Sequence, residues 1–207
     1  MRFHDFVKAA EGWITHAREV LFSNPFVEIH RVRMSSPTRN SAFEWTVCHR
    51  KPGVCVAAQT PDGGFVMIRQ ERVPIQDSLW EFPAGQIDQG GRHDWDAVRE
   101  TGLRELQEEA GYEPVSDAEL VSLQHFLTSA GFTDEHCYLM WVRGVQPSPG
   151  GAHHDPGEAI TDVRVFSAAE LRAMVASGEV RDANTLSCLA RLAAIGEWSG
   201  VGCSGSQ

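Results

Sequence analysis

Three glutamates, Glu105, Glu108 and Glu109, stand at i, i+3 and i+4 in the stretch Arg104-Glu105-Leu106-Gln107-Glu108-Glu109-Ala110-Gly111-Tyr112. On a helix advancing ~100° per residue, this spacing puts all three carboxylates on one face. Like charges so crowded weaken an isolated helix. Hard oxygen ligands grouped in this way suit Mg²⁺ or Mn²⁺, and such a cation would relieve the repulsion. The plainer alternative is a solvated acidic face with Arg104 as its local counter-ion. Leu103, Leu106 and Ala110 fall on a second face, suited to a sheet.

The helix that carries this face is predicted from about Asp96 to Ala110, with Asp96 as a possible cap and Gly111 as its stop. Gly102 inside it costs ~1 kcal/mol against Ala, and close packing on a sheet is the simplest account. Around it, residues 3–21 have loosely helical apolar spacing and predict a short amphipathic helix. Strands are expected at 26–34 and 41–50. Val54–Gln59 and Gly64–Arg72 bracket the hairpin signal Thr60-Pro61-Asp62-Gly63-Gly64. Trp80-Glu81-Phe82 is a short strand halted by Pro83. Further strands are expected at 120–127, 135–145 and 163–166. Residues 146–159, rich in Gly and Pro, predict a flexible loop. Ser167 and Glu170 form a capping box that opens a helix, and a last helix covers about 185–195. The tail after Gly196 is expected to fray.

The 207 residues are 42% hydrophobic and 22% charged, as in an ordinary globular protein, with room for one good core and a small appended sheet. The early charges of Met1-Arg2-Phe3-His4-Asp5 do not read as a signal peptide, and no apolar run is long enough for a membrane span. Cys48, Cys55, Cys137, Cys188 and Cys203 are odd in number and scattered. They suggest free thiols in a reducing cytosol, so a cytoplasmic location is expected. The formal net charge of −10 argues against a nucleic-acid partner. It would also repel an anionic substrate, unless divalent cations reverse the local field.

The segment 104–112 resembles the Nudix signature, G-x5-E-x7-R-E-U-x-E-E-x-G-U, at Arg104, Glu105, Leu106, Glu108, Glu109, Gly111 and Tyr112. Upstream, Pro83-Ala84-Gly85 resembles the turn that opens the signature, but about five residues are inserted between the two halves. Gly85 is read as keeping its turn role, with residues 86–95 an enlarged loop and Asp96 in the place of the family's glutamate. A second register, starting from Gly90, reaches Asp96 and Arg104 without a gap.

Beyond the signature, over roughly residues 25–195, the chain resembles the ADP-ribose pyrophosphatase branch of that family. The likeness is carried by Gln70-Glu71-Arg72, by Trp80-Glu81-Phe82-Pro83-Ala84-Gly85, by Ser129–Glu135 and by Asp155–Ile160. It implies an α/β (α+β) fold: a Nudix α/β/α sandwich around a mixed sheet, with a small N-terminal antiparallel sheet. Residues 1–50 would serve dimerisation and 51–207 form the hydrolase domain. The expected reaction is metal-dependent hydrolysis of ADP-ribose to AMP and ribose 5-phosphate by a homodimer. Metal ligands would be Gly85, Glu105, Glu108 and Glu109, holding Mg²⁺ or Mn²⁺. Catalytic roles fall to Glu158, Glu105 and Arg104, with Glu158 swinging in on its loop to act on the attacking water. Substrate contacts fall to Arg72, Phe43, Trp45 and Glu135, the two aromatics stacking on adenine. Plainer readings stand beside these: a surface salt bridge for Arg72, a solvated Glu158, ordinary sheet packing for Phe43 and Trp45, and a Glu81 that pairs with Arg72 or Arg104. His153 and His154 are adjacent on a loop and poorly placed to chelate together. Rival functions are a nucleotide-sugar pyrophosphatase acting on UDP-glucose or GDP-mannose, and a non-hydrolysing ADP-ribose sensor.

Overall fold

The computed structural model describes residues 9–88, 94–154 and 157–198. These residues form two sheets. The first is antiparallel, ordered β1-β2-β3, from β1 (Ile14–Ser23), β2 (Glu28–Ser35) and β3 (Phe43–His49). The second has seven strands: β4 (Gly53–Gln59), β5 (Phe65–Arg72), β6 (Asp77–Glu81), β7 (Ala84–Gln86), β8 (Tyr112–Leu127), β9 (His136–Pro147) and β10 (Ile160–Phe166). Its main path runs β10-β5-β4-β9-β8, with β6 on β5 and β7 on β4. The β4–β9 pair is parallel and the other pairings are antiparallel, so the sheet is mixed.

Among the described residues, three α-helices cover this sheet on both faces: α1 (Trp95–Ala110), α2 (Ala168–Ser177) and α3 (Ala183–Ala194). Alternation along β4 explains the sandwich. Val54, Val56 and Ala58 point to the side where Val98 and Leu106 of α1 pack. Cys55 and Ala57 point to the side of Leu171, Leu189 and Leu192 from α2 and α3. Gly102 lets α1 approach closely, because a Cβ there would lie 3.1 Å from Val56 Cγ2 and 3.3 Å from Val54 Cγ2.

Several expectations need correction. Residues 14–23 form a strand rather than a helix; residues 1–8 lie outside the described residues. Asp94, not Asp96, caps α1, accepting the Ala97 amide at 3.0 Å. Asp96 sits exposed in the first turn, 3.8 Å from Arg99, while Arg104 pairs elsewhere. It therefore does not take the role of a glutamate that reaches Arg104. Trp198 is buried against α3, so the chain stays packed past Gly196; residues 199–207, with Cys203, lie outside the described residues. Cys48, Cys55, Cys137 and Cys188 are buried free thiols. Among the described residues, no helix is long and apolar enough to cross a membrane.

Candidate active site

The acidic helix meets the Pro83-Ala84-Gly85 turn. That turn leaves β6 and enters β7, where Val54 pairs with Gly85 and Cys55 with Ala84. The Ala84 amide donates to Glu109 Oε2 at 2.8 Å. Gly85 makes room for the Glu105 side chain: a Cβ there would fall 2.0 Å from Glu105 Oε1 and would displace the carboxylate. Glu105 and Glu109 are 5% and 1% exposed. Burial pushes both carboxyls up, Glu109 to about 8, against the lowering effect of the Ala84 amide and with Glu105 and Glu158 adding negative charge.

Half-buried Glu158 arrives from the loop before β10. Glu105, Glu109 and Glu158 each offer a carboxylate oxygen, and the three atoms lie within 4.8 Å of one another. Buried carboxylates held this close disfavour joint ionisation unless a cation joins them. The donor set, all hard oxygen in a space kept open by Gly85, fits a divalent ion such as Mg²⁺ or Mn²⁺. Glu108 stands outside the trio: its carboxylate pairs with Arg104, which also reaches Glu105 Oε1 at 2.5 Å. Arg104 is thus a bridge between two acidic side chains of its own helix.

Beside Gly85 opens a cavity of about 500 Å³, lined among others by Arg50, Lys51, Arg72, Glu81 and Glu135. Arg72 leaves the end of β5 and forms a two-pronged pair with Glu81, Nε to Oε1 at 2.9 Å and Nη2 to Oε2 at 2.5 Å. Glu81 is 1% exposed, and burial raises its carboxyl despite the guanidinium beside it. The fork fixes the Arg72 head at the cavity wall. Glu135 accepts from Thr128 Oγ1 at 2.9 Å and lies 3.1 Å from Arg50 Nη1.

Phe43 and Trp45 are placed differently. The Arg39 guanidinium stacks 4.0 Å over the Phe43 ring. Trp45 is 47% exposed and its indole Nε1 lies 3.4 Å from the Gly131 carbonyl, in a groove with Leu127 and Phe132. Neither aromatic lines the Arg72 cavity within one chain. Sequence reasoning did not single out Arg50, Lys51 or the Asp182–Asn184 start of α3, which also borders the cavity. A cationic pair ahead of Pro52-Gly53 is a faint signal, and the α3 contribution had none.

The NUDIX domain family model matches residues 49–187. An ADP-ribose pyrophosphatase of Bacillus subtilis (strain 168) is 32% identical over 174 residues, covering 83% of this chain and 87% of that protein. A methanol dehydrogenase activator of Bacillus methanolicus is 34% identical over 143 residues, 69% of this chain and 72% of that protein. An ADP-ribose pyrophosphatase of Mycobacterium tuberculosis is 29% identical over 181 residues, 87% of this chain and 79% of that protein. In fold, the chain is similar to a crystal structure of an ADP compounds hydrolase, with a TM-score of 0.72 at 16% identity, over 92% of this chain and all of that one. The matched span contains the acidic helix, the Gly85 turn, Arg72 and Glu158, and the chain belongs to the Nudix hydrolase family.

Proposed function

We propose that the chain hydrolyses the pyrophosphate bond of ADP-ribose, releasing AMP and ribose 5-phosphate, with Mg²⁺ or Mn²⁺ bound. The observation that carries this reading is the trio Glu105, Glu109 and Glu158 opening beside the Arg72 cavity. The two ADP-ribose pyrophosphatases among the relatives support the choice of substrate.

Glu105, Glu109 and Glu158 would hold the cation, with Glu108 and the Gly85 carbonyl as further candidate ligands. A divalent ion held there would supply charge neutralisation at the phosphates and make the attacking water more acidic. Arg72, steadied by Glu81, clamps the diphosphate. Glu158 orients a water and takes its proton. The water oxygen then bonds to one phosphorus, the bridging P–O bond breaks, and the second phosphate leaves with the electron pair. Arg104 holds Glu105 and Glu108 in place. Glu135, already hydrogen-bonded at the cavity wall, contacts the sugar.

The chain acts as a homodimer through residues 1–50. Every residue of β1 is exposed, and Trp13, Ile14, Val20 and Phe22 are each 47–56% exposed. An apolar sheet edge of this kind calls for a partner. Phe43 and Trp45 stand on β3, the far edge of the same sheet, and would meet the base only from another copy's site.

A nucleotide-sugar pyrophosphatase uses the same metal chemistry and differs in base and sugar contacts. The deciding experiment is a panel of ADP-ribose, UDP-glucose, GDP-mannose, diadenosine phosphates and NADH with Mg²⁺ and Mn²⁺, followed by product identification. ADP-ribose should be preferred and EDTA should abolish turnover. Preference for UDP-glucose or GDP-mannose would replace the substrate assignment, and undiminished turnover in EDTA would sink the metal mechanism.

A further inference from the structure

Residues 148–154, after β9, are moored to the end of α1. The Ser148 amide donates to the Gly111 carbonyl at 2.8 Å, and the His153 amide donates to the Glu108 carbonyl at 2.8 Å. The His154 imidazole Nε2 lies 2.9 Å from the Glu109 carbonyl oxygen. The carbonyls in the last turn of a helix have no acceptor role inside it, so donors from outside are favoured there. Gly111 makes the approach possible. Its φ is +70°, and a Cβ there would stand 2.7 Å from the Ala152 nitrogen and 2.9 Å from the Gly151 carbonyl carbon. Four residues beyond His154, the Glu158 carboxylate lies within 4.8 Å of those of Glu105 and Glu109. Glu109 therefore meets this segment twice, through its main-chain carbonyl at His154 and through its carboxylate at Glu158.

We propose that His154 is a positioning residue for Glu158: its imidazole, bonded to the Glu109 carbonyl, ties the loop to the metal-binding helix and so sets where the Glu158 carboxylate sits. This inference rests on the reading of Glu158 as a member of the metal site. The side chain need only supply a donor at the Nε2 position. Glutamine places an amide nitrogen at similar reach, whereas alanine supplies none. The loss should show in metal binding as well as in turnover, because it acts through a ligand.

The test is Mn²⁺ affinity, measured by titration calorimetry without substrate, for wild type, His154→Ala, His154→Gln, Glu158→Gln and the double variant His154→Ala/Glu158→Gln. His154→Ala should weaken Mn²⁺ by ~3–10-fold, the equivalent of one lost hydrogen bond. His154→Gln should remain within about twofold of wild type. In the Glu158→Gln background, His154→Ala should have no further effect, since the group it positions is gone. With substrate, His154→Ala should lower kcat and leave KM nearly unchanged. Thermal melting checks each variant, and His154→Asn, too short to reach the carbonyl, replaces the alanine should that variant not fold. Wild-type Mn²⁺ affinity in His154→Ala, or a loss that persists undiminished in the Glu158→Gln background, overturns the mooring role alone. Wild-type affinity in Glu158→Gln removes Glu158 from the metal site, and the inference falls with it.

Discussion

Replacing Glu109 with glutamine should stabilise the metal-free protein above neutral pH while weakening its response to metal. Glu109 is 1% exposed, and burial lifts its carboxyl from the ordinary 4.5 to about 8. The folded chain therefore keeps a proton that the unfolded chain has released between these two values. Stability falls as pH rises through that window, by about 1.4 kcal/mol per pH unit. The penalty reaches about 3 kcal/mol at pH 7 and levels off at about 5 kcal/mol above pH 8, an upper bound because water can enter the site once the charge forms. Glutamine resembles the protonated acid and can still accept the Ala84 amide, so the variant lacks this term. The assay is thermal or urea unfolding of both proteins in EDTA at pH 5, 7 and 9, repeated with excess Mg²⁺. At ~2–4 °C per kcal/mol for a chain of this size, the metal-free wild type should lose roughly 10 °C or more between pH 5 and 9 relative to Glu109→Gln. Mg²⁺ should return most of that loss to wild type, since binding draws on the ionised form. Parallel pH curves for the two metal-free proteins would refute the placement of a raised carboxyl at Glu109.

Three further outcomes follow from the same geometry. Gly85→Ala drives a Cβ to 2.0 Å from Glu105 Oε1; Mn²⁺ affinity should fall ~10–100-fold with a smaller effect on melting, and unchanged affinity would take Glu105 out of the site. Arg72→Ala leaves the buried Glu81 without its guanidinium; because the Arg72 side chain is itself 39% exposed, the cost in urea unfolding should be about 1–2 kcal/mol, and Arg72→Met with Glu81→Leu should regain most of it. A single variant as stable as wild type would contradict the role of Arg72 as counter-ion to the buried Glu81. Gly102→Ala gains ~1 kcal/mol of helix propensity but sets a methyl against Val54, Val56 and Met140. Overpacking of ~1–3 kcal/mol should win, leaving a net loss of roughly 1 kcal/mol, and a variant more stable than wild type would overturn the packing account.

What the sequence determined by itself is the part of the protein whose bonds are local. The helix α1, its stop at Gly111, the turn after Gln59 and the Ser167–Glu170 capping box each follow from interactions within a few residues. So does the common face of Glu105 and Glu109. Tertiary structure decided what depends on distant partners. β1 looked helical because its pairing with β2 shifts register between Thr15 and Ala17 and again between Val20 and Phe22. Each extra residue interrupts the alternation of a strand and mimics the spacing of a helix. Only the fold selects Glu158 over Glu108 as the third carboxylate of the cluster, because Arg104 draws Glu108 aside while the loop before β10 brings Glu158 in. Likewise, Glu81 becomes the buried partner of Arg72 through the pairing of β5 with β6, and not through its place beside the Pro83-Ala84-Gly85 turn. Spacing along a chain reports one helix face, while a site assembled from a helix, two strand ends and a loop is set by the packing that joins them.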